Sequence, residues 1–134
     1  MSVILVDSNV ILDVFTEDPK WYDWSAGKLS ESAEDAALAI NPIIYSEVSL
    51  RFETIEELDD ALPVEFFERL SLPWEAAFLA AKCYLKYRSR RGAKRSPLPD
   101  FYIGAHAAVL DMTLLTRDPK RYRTYYPTVR LLSP

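Results

Sequence analysis

The chain has a single cysteine, Cys83, which rules out an intramolecular disulfide and any cysteine-based zinc site and fits a reducing compartment. A single histidine, His106, leaves no pair for two-histidine acid–base chemistry. Three glycines and no Ser- or Gly-rich tract leave little room for a linker, and neither a repeat nor a low-complexity segment interrupts the chain. One domain over residues 1–134 is expected. No run approaches the roughly 18 apolar residues of a membrane span, and the opening apolar run is too short for a secretory signal, so a cytoplasmic protein is expected. A Gly-x-x-x-x-Gly-Lys phosphate loop and a Gly-x-Ser-x-Gly elbow are also missing, which excludes two large enzyme classes. Cys83, in mid-helix among Ala and Tyr residues, reads as packing.

What is present is charge of uneven sign. The net charge is −4, yet residues 1–75 carry seventeen acids against four bases, and residues 76–134 carry twelve bases against three acids. The basic half holds a dense run through Lys82, Lys86, Arg88, Arg90, Arg91, Lys94 and Arg95, and a second group at Arg117, Lys120, Arg121 and Arg123. Such patches are either a solvated helix face or the footprint of a polyanion. Only Asp100, Asp111 and Asp118 interrupt them.

Hydrophobic patterning alternates strands with helices. Buried parallel strands are predicted at Ser2–Val6, Ala36–Ile40 and Thr113–Leu115, with a last strand at 129–132, and 66–72 is extended or irregular. Helices are predicted from Asp7 or Ser8 to Phe15, over 19–30 from Pro19, and over 42–52 from the Asn41-Pro42 cap. Thr54 with Glu57 forms a capping box for a helix ending before Pro63. Pro73 opens the longest helix, which Gly92 ends. Another helix runs from Asp100 to Leu110, and Asp118-Pro119 starts a short one. The order implies an α/β fold, a three-layer sandwich whose mostly parallel sheet is covered by helices. In such sheets ligands bind at the carboxyl ends of the strands.

Four acids fall at those ends or at the helix starts that follow. Asp7 ends the first strand, where it either caps the next helix or leaves that role to Ser8. Glu47 lies on the apolar face with Ile43, Ile44 and Val48, a costly place for a carboxylate unless Arg51 at i+4 or a metal ion meets it. Asp100 opens a helix whose Gly104, Ala107 and Ala108 let it lie close against the sheet, and it also complements that helix's dipole. Asp118 is in the position of an ordinary cap. Gathered together, four carboxylates need cations, and hard oxygen donors suit Mg²⁺ or Mn²⁺. Their usual work is phosphoryl chemistry, with nearby basic patches binding the phosphates of a nucleic acid. His106, about 240° around the helix from Asp100, reads as structural or surface.

The segments VDSNVILD (6–13), NPIIYSEV (41–48), PLPDFYIGAHA (97–107) and LLTRDPKRY (114–122) resemble, in order and spacing, the PIN-domain nucleases, and among them the small VapC-type toxins of toxin–antitoxin pairs. The resemblance implies a Mg²⁺- or Mn²⁺-dependent endoribonuclease. Asp7, Glu47, Asp100 and Asp118 would hold the metal, with Asn9 supporting the first acid and Thr116 beside the last. It also implies a cognate antitoxin and often a homodimer. Arg88, Arg90, Arg91, Lys94, Arg95, Arg117, Lys120 and Arg121 are candidates for positioning RNA. Trp21, Tyr22, Trp24 and the Phe66–Phe67 pair are candidates either for protein contacts or for the core. Two rivals are a non-catalytic RNA-binding or regulatory module on the same fold and a haloacid-dehalogenase-like phosphatase. The second expects Asp-x-Asp after the first strand, where this chain has Asn9.

Overall fold

Successive strand residues point to opposite faces of a sheet, so neighbouring buried residues mean that both faces are covered. Leu5 and Val6 on β1 (Ser2–Val6), Ala39 and Ile40 on β2 (Ala36–Ile40), and Leu114 and Leu115 on β4 (Thr113–Leu115) are all buried in this way. The computed structural model describes residues 2–91 and 98–134, the side chain of Arg91 excepted. Two further strands, β3 (Phe67–Arg69) and β5 (Leu131–Leu132), complete a five-stranded, all-parallel sheet of order β3-β2-β1-β4-β5. The helices are α1 (Ser8–Phe15), α2 (Tyr22–Asp35), α3 (Pro42–Ser49), α4 (Ile55–Ala61), α5 (Trp74–Arg91), α6 (Leu98–Val109) and α7 (Lys120–Tyr125). Among the described residues no helix is long and apolar enough to cross a membrane.

The topology places the site. From β1 the chain builds outward to β2 and β3, returns to add β4 on the other side of β1, and ends at β5. Strand order therefore reverses between β1 and β4, and the crevice at such a reversal is where open parallel sheets bind ligands. The register sets Val6 opposite Leu115, and the Asp7 amide donates to the Leu115 carbonyl at 2.9 Å. Asp7 and Thr116 thus leave adjacent strands side by side.

Helix boundaries depart from expectation where side chains compete for the backbone. Asp18 Oδ1 accepts from the amides of Lys20 and Trp21, both at 2.9 Å. That Asx turn carries the chain through Pro19, so α2 starts only at Tyr22 and runs on to Asp35. Helix α3 stops at Ser49 because i→i−3 bonds from Leu50, Arg51 and Phe52 tighten its end. Asn41 caps it as expected, accepting from Ile44 N at 2.9 Å. The 66–72 segment is resolved as the short strand β3. Val129 stays outside β5, its amide turned back to Tyr126 O at 3.1 Å. Phe67 and Trp24 serve the core, whereas Tyr22 and Phe66 are exposed. Cys83 is buried, as expected of a packing residue.

Gly104 corrects another expectation. Its bare face meets the tyrosines of α7 and its C-cap: a Cβ there would lie 2.5 Å from Tyr126 Cε2 and 3.1 Å from Tyr122 Cδ1. Gly104→Ala should cost about 1–3 kcal/mol through overpacking. Thermal melting checks this, and an unchanged melting temperature would show that the two rings yield freely.

Candidate active site

Asp7 sits at the N-cap of α1, yet its side chain makes no capping bond. It turns instead into the protein, where it is 3% exposed, and its Oδ2 accepts from Thr116 Oγ1 at 2.8 Å, Tyr122 Oη at 3.0 Å and Asn9 Nδ2 at 3.3 Å. A hydroxyl has one hydrogen to give and two lone pairs to accept with. Thr116 uses all three, donating to Asp7 and accepting from Asn9 Nδ2 at 3.2 Å and the Asp118 amide at 3.1 Å. Asn9 completes the frame by accepting from the Arg117 amide at 3.3 Å. The structure thus places Asn9 and Thr116 against Asp7, with Thr116 also at the Asp118 backbone amide.

Three of the four acids have raised pKa values, each chiefly through burial and in part through the charge of a neighbouring acid. Burial pushes Asp7 up to about 7, with the charge of Asp100 adding to the effect and, more weakly, that of Glu47; the Thr116 and Tyr122 hydroxyls pull the other way. Glu47 is raised chiefly by burial, and the negative Asp100 adds to this, while its bond from Ser8 Oγ at 2.7 Å opposes both. Burial also raises Asp100, against Arg121, whose Nη1 lies 2.8 Å from Oδ2, and the charge of Asp118 adds to the rise.

The alternatives open for each acid are now decided in part. Ser8 is not a cap but the donor that holds Glu47. Helix α3 ends before Arg51, which therefore forms no i+4 pair with Glu47. Asp118 does not cap α7, whose N-cap is Pro119; its side chain is 79% exposed and meets Arg117 Nη1 at 3.7 Å. Asp100 does lie in the first turn of α6.

Asp100 and Asp118 line a cleft of about 530 Å³ together with Arg90, Lys120, Arg121, Tyr87 and Tyr125. Acid and base thus share one surface. Arg88 lies on α5 with its guanidinium 5.9 Å from the Tyr84 ring. Arg117 is committed elsewhere: its Nε lies 2.8 and 3.1 Å from the carboxylate of the buried Asp13, and its guanidinium lies 5.6 Å from the Trp21 ring. Lys94, Arg95 and the Arg91 side chain lie outside the described residues.

Sequence reasoning missed three residues here. Tyr122, fully buried, lends Asp7 a hydroxyl, and burial holds its own pKa well above the usual tyrosine range. Asp13 anchors Arg117. Only its place among Ile11, Leu12 and Val14 hinted that it was buried. Ser8 looked like a routine cap. His106 is the buried structural residue that was one of the two expectations: Asn41 Nδ2 lies 3.0 Å from its Nδ1, and desolvation keeps its pKa low.

The donors fit a hard divalent cation. They are carboxylate oxygens, and the most buried of them, Asp7, faces the charges of Asp100 and Glu47 and pairs with no cation among the described residues. Among the described residues no group of three or more His, Cys, Asp or Glu side chains is placed to hold an ion as a cage. Mg²⁺ does not need one, since it keeps several waters and takes only one or two carboxylates. Asp7 Oδ1 accepts no hydrogen bond from the described residues, which leaves it for such a ligand.

A search of the curated proteins finds no match for the chain. Among solved structures it superposes on a chain of VapBC2 from Rickettsia felis, in a complex bound to a DNA fragment from their promoter. There the TM-score is 0.71 with 18% identity, over 98% of both chains. VapBC-1 from nontypeable Haemophilus influenzae gives 0.70 with 19% identity, over 98% of this chain and 97% of that one. A toxin–antitoxin complex from Klebsiella pneumoniae gives 0.66 with 21% identity, over 94% of each. Identities this low establish a shared fold. The sequence itself matches the PIN domain family over residues 4–125, which includes all four acids and leaves no place for the phosphatase alternative: the chain belongs to the PIN-domain family.

Proposed function

We propose that this chain is a Mg²⁺- or Mn²⁺-dependent endoribonuclease acting in the cytoplasm as the toxin of a toxin–antitoxin pair. One observation carries the chemistry: a buried carboxylate, Asp7, held by three neutral donors at the sheet's switch point, with two further acids opposing its ionisation. Two of the other acids, Asp100 and Asp118, line a cleft together with Arg90, Lys120 and Arg121. Structural neighbours drawn from VapBC and toxin–antitoxin complexes support a cognate antitoxin partner, and the family resemblance adds a homodimer.

Asp7, Glu47, Asp100 and Asp118 would hold the ion, one or two of them directly and the others through its bound waters. Bound there, it would activate water and offset the charge that develops on the scissile phosphate. Thr116, Tyr122 and Asn9 keep Asp7 in one orientation, and Ser8 does the same for Glu47. Arg90, Lys120 and Arg121, on the cleft wall, would bind and orient the phosphates on either side of the cut.

The test is incubation of mixed total RNA with folded, antitoxin-free protein, in Mg²⁺ or Mn²⁺ and in EDTA. Discrete fragments ending in 5′-phosphate and 3′-hydroxyl should form with metal and vanish in EDTA. A 2′,3′-cyclic phosphate would show instead that the ribose oxygen is the nucleophile. RNA binding without cleavage would favour the non-catalytic module, the reading to which the incomplete cage lends some weight.

A further inference from the structure

Among the described residues, Asp100 is the one of the four acids that meets a cation at hydrogen-bond distance. Arg121 reaches it from α7 with a single contact, Nη1 to Oδ2 at 2.8 Å, and both side chains are about one-third exposed, at 33% and 31%. Arg121 Nε is buried and has no partner among the described residues, and the guanidinium lies 5.6 Å from the Tyr87 ring on the cleft wall. Arg117 is held differently: its single Nε–H is shared between both oxygens of the Asp13 carboxylate, which is 2% exposed. Arginine prefers two parallel bonds to carboxylate or phosphate, and the Arg121–Asp100 contact falls short of that geometry.

Asp100 is thus wanted by two cations. A divalent ion and a guanidinium on one carboxylate repel each other, so neither binds at full strength while the other stays. The cleft offers the guanidinium a second anion, since a phosphate entering between Arg121, Lys120 and Arg90 presents oxygens that Nε now lacks. We propose that Arg121 is an exchangeable counter-ion: it neutralises Asp100 in the ion-free protein and passes to an RNA phosphate when a divalent ion takes Asp100, so that ion and RNA each strengthen the other's binding. The inference rests on the nuclease reading above and makes Arg121 a positioning residue that couples the two ligands. Coupling of this kind is reciprocal, and typical strengths begin near fivefold.

The test is calorimetric titration of Mn²⁺ into wild type, Arg121→Gln, Arg121→Lys and Asp100→Asn, each with and without a short phosphorothioate RNA that resists cleavage. Without RNA, Arg121→Gln should bind Mn²⁺ about fivefold more tightly than wild type or better, while Arg121→Lys, which keeps the charge, should stay close to wild type. With RNA, wild type should tighten by a larger factor than Arg121→Gln, whose smaller gain reports only the ion's own attraction to the phosphate. Equal or weaker Mn²⁺ binding by Arg121→Gln would overturn the exchange. So would a wild-type affinity indifferent to RNA, or a lysine variant that behaves like the glutamine one. The nuclease reading has its own readout in the same series: Mn²⁺ binding by wild type that is lost in Asp100→Asn supports the metal site whatever Arg121→Gln does. No Mn²⁺ binding by any variant would overturn both.

Discussion

Asp7→Asn should abolish RNA cleavage and at the same time make the protein more stable at pH 8. The first effect follows from removing the acid at the centre of the cluster. The loss should exceed the roughly 10- to 100-fold that changes in groups behind a metal ligand bring about. The second follows from linkage. Asp7 is raised from 3.8 to about 7 in the folded chain. Between those values the folded state binds more protons than the unfolded one, so stability falls as pH rises, by roughly 4 kcal/mol in all at 1.36 kcal/mol per unit. The loss begins near pH 4, is complete above about 7, and is absent from the variant, because asparagine does not ionise. Its amide oxygen can still accept from Thr116 and Tyr122. Melting temperatures of wild type and variant should therefore coincide near pH 4 and separate toward pH 8. Divalent ion should narrow the gap at pH 8 by stabilising only the wild type. Curves that stay parallel at every pH would show that Asp7 titrates as an ordinary carboxylate and that its burial carries no strain.

Arg117→Met should destabilise the protein by about 3 kcal/mol, the low end for breaking a buried ion pair, because the arginine side chain is itself 25% exposed. Methionine keeps the apolar stem but leaves Asp13, 2% exposed, with only the Ser25 hydroxyl at 2.7 Å. That carboxylate joins three parts of the chain: α1, which carries it, α2 through Ser25, and the segment after β4 through Arg117. The same segment holds Thr116 and Asp118, so cleavage should fall along with stability. The double change Asp13→Leu, Arg117→Met should recover much of the stability, since removing both partners of a buried pair leaves no uncompensated charge. Urea unfolding midpoints of the two singles and the double would measure this. A cost for Arg117→Met near that of an exposed pair, up to about 1 kcal/mol, would show that solvent supports Asp13 without the arginine.

Much of this architecture was legible in one dimension because it depends on local chemistry. The β-branched run SVILV, the Asn41-Pro42 cap and the alternation of short apolar runs with helices determine the elements and, through the rule for parallel sheets, the region where ligands bind. Asp7, Glu47, Asp100 and Asp118 are recognisable as acids at strand ends or helix starts. Boundaries were less legible where two local signals compete. Pro19 reads as a helix start, but Asp18 takes the nearby amides into a turn first, and nothing in the residue order ranks one above the other.

Partnerships across the fold were not legible. Ser8 meets Glu47, Thr116 and Tyr122 meet Asp7, and Arg121 meets Asp100 only because β1 and β4 lie side by side while α3, α6 and α7 converge on their ends. Sequence alone determined which residues carry ionisable oxygens, where the backbone turns, and that a sheet would present those oxygens along one edge. Tertiary structure decided which acid is buried, which is paired and which is exposed. The reason is that burial and Coulomb energy depend on distances between residues as far apart in the chain as Asp7 and Tyr122, and those distances exist only once the sheet has formed.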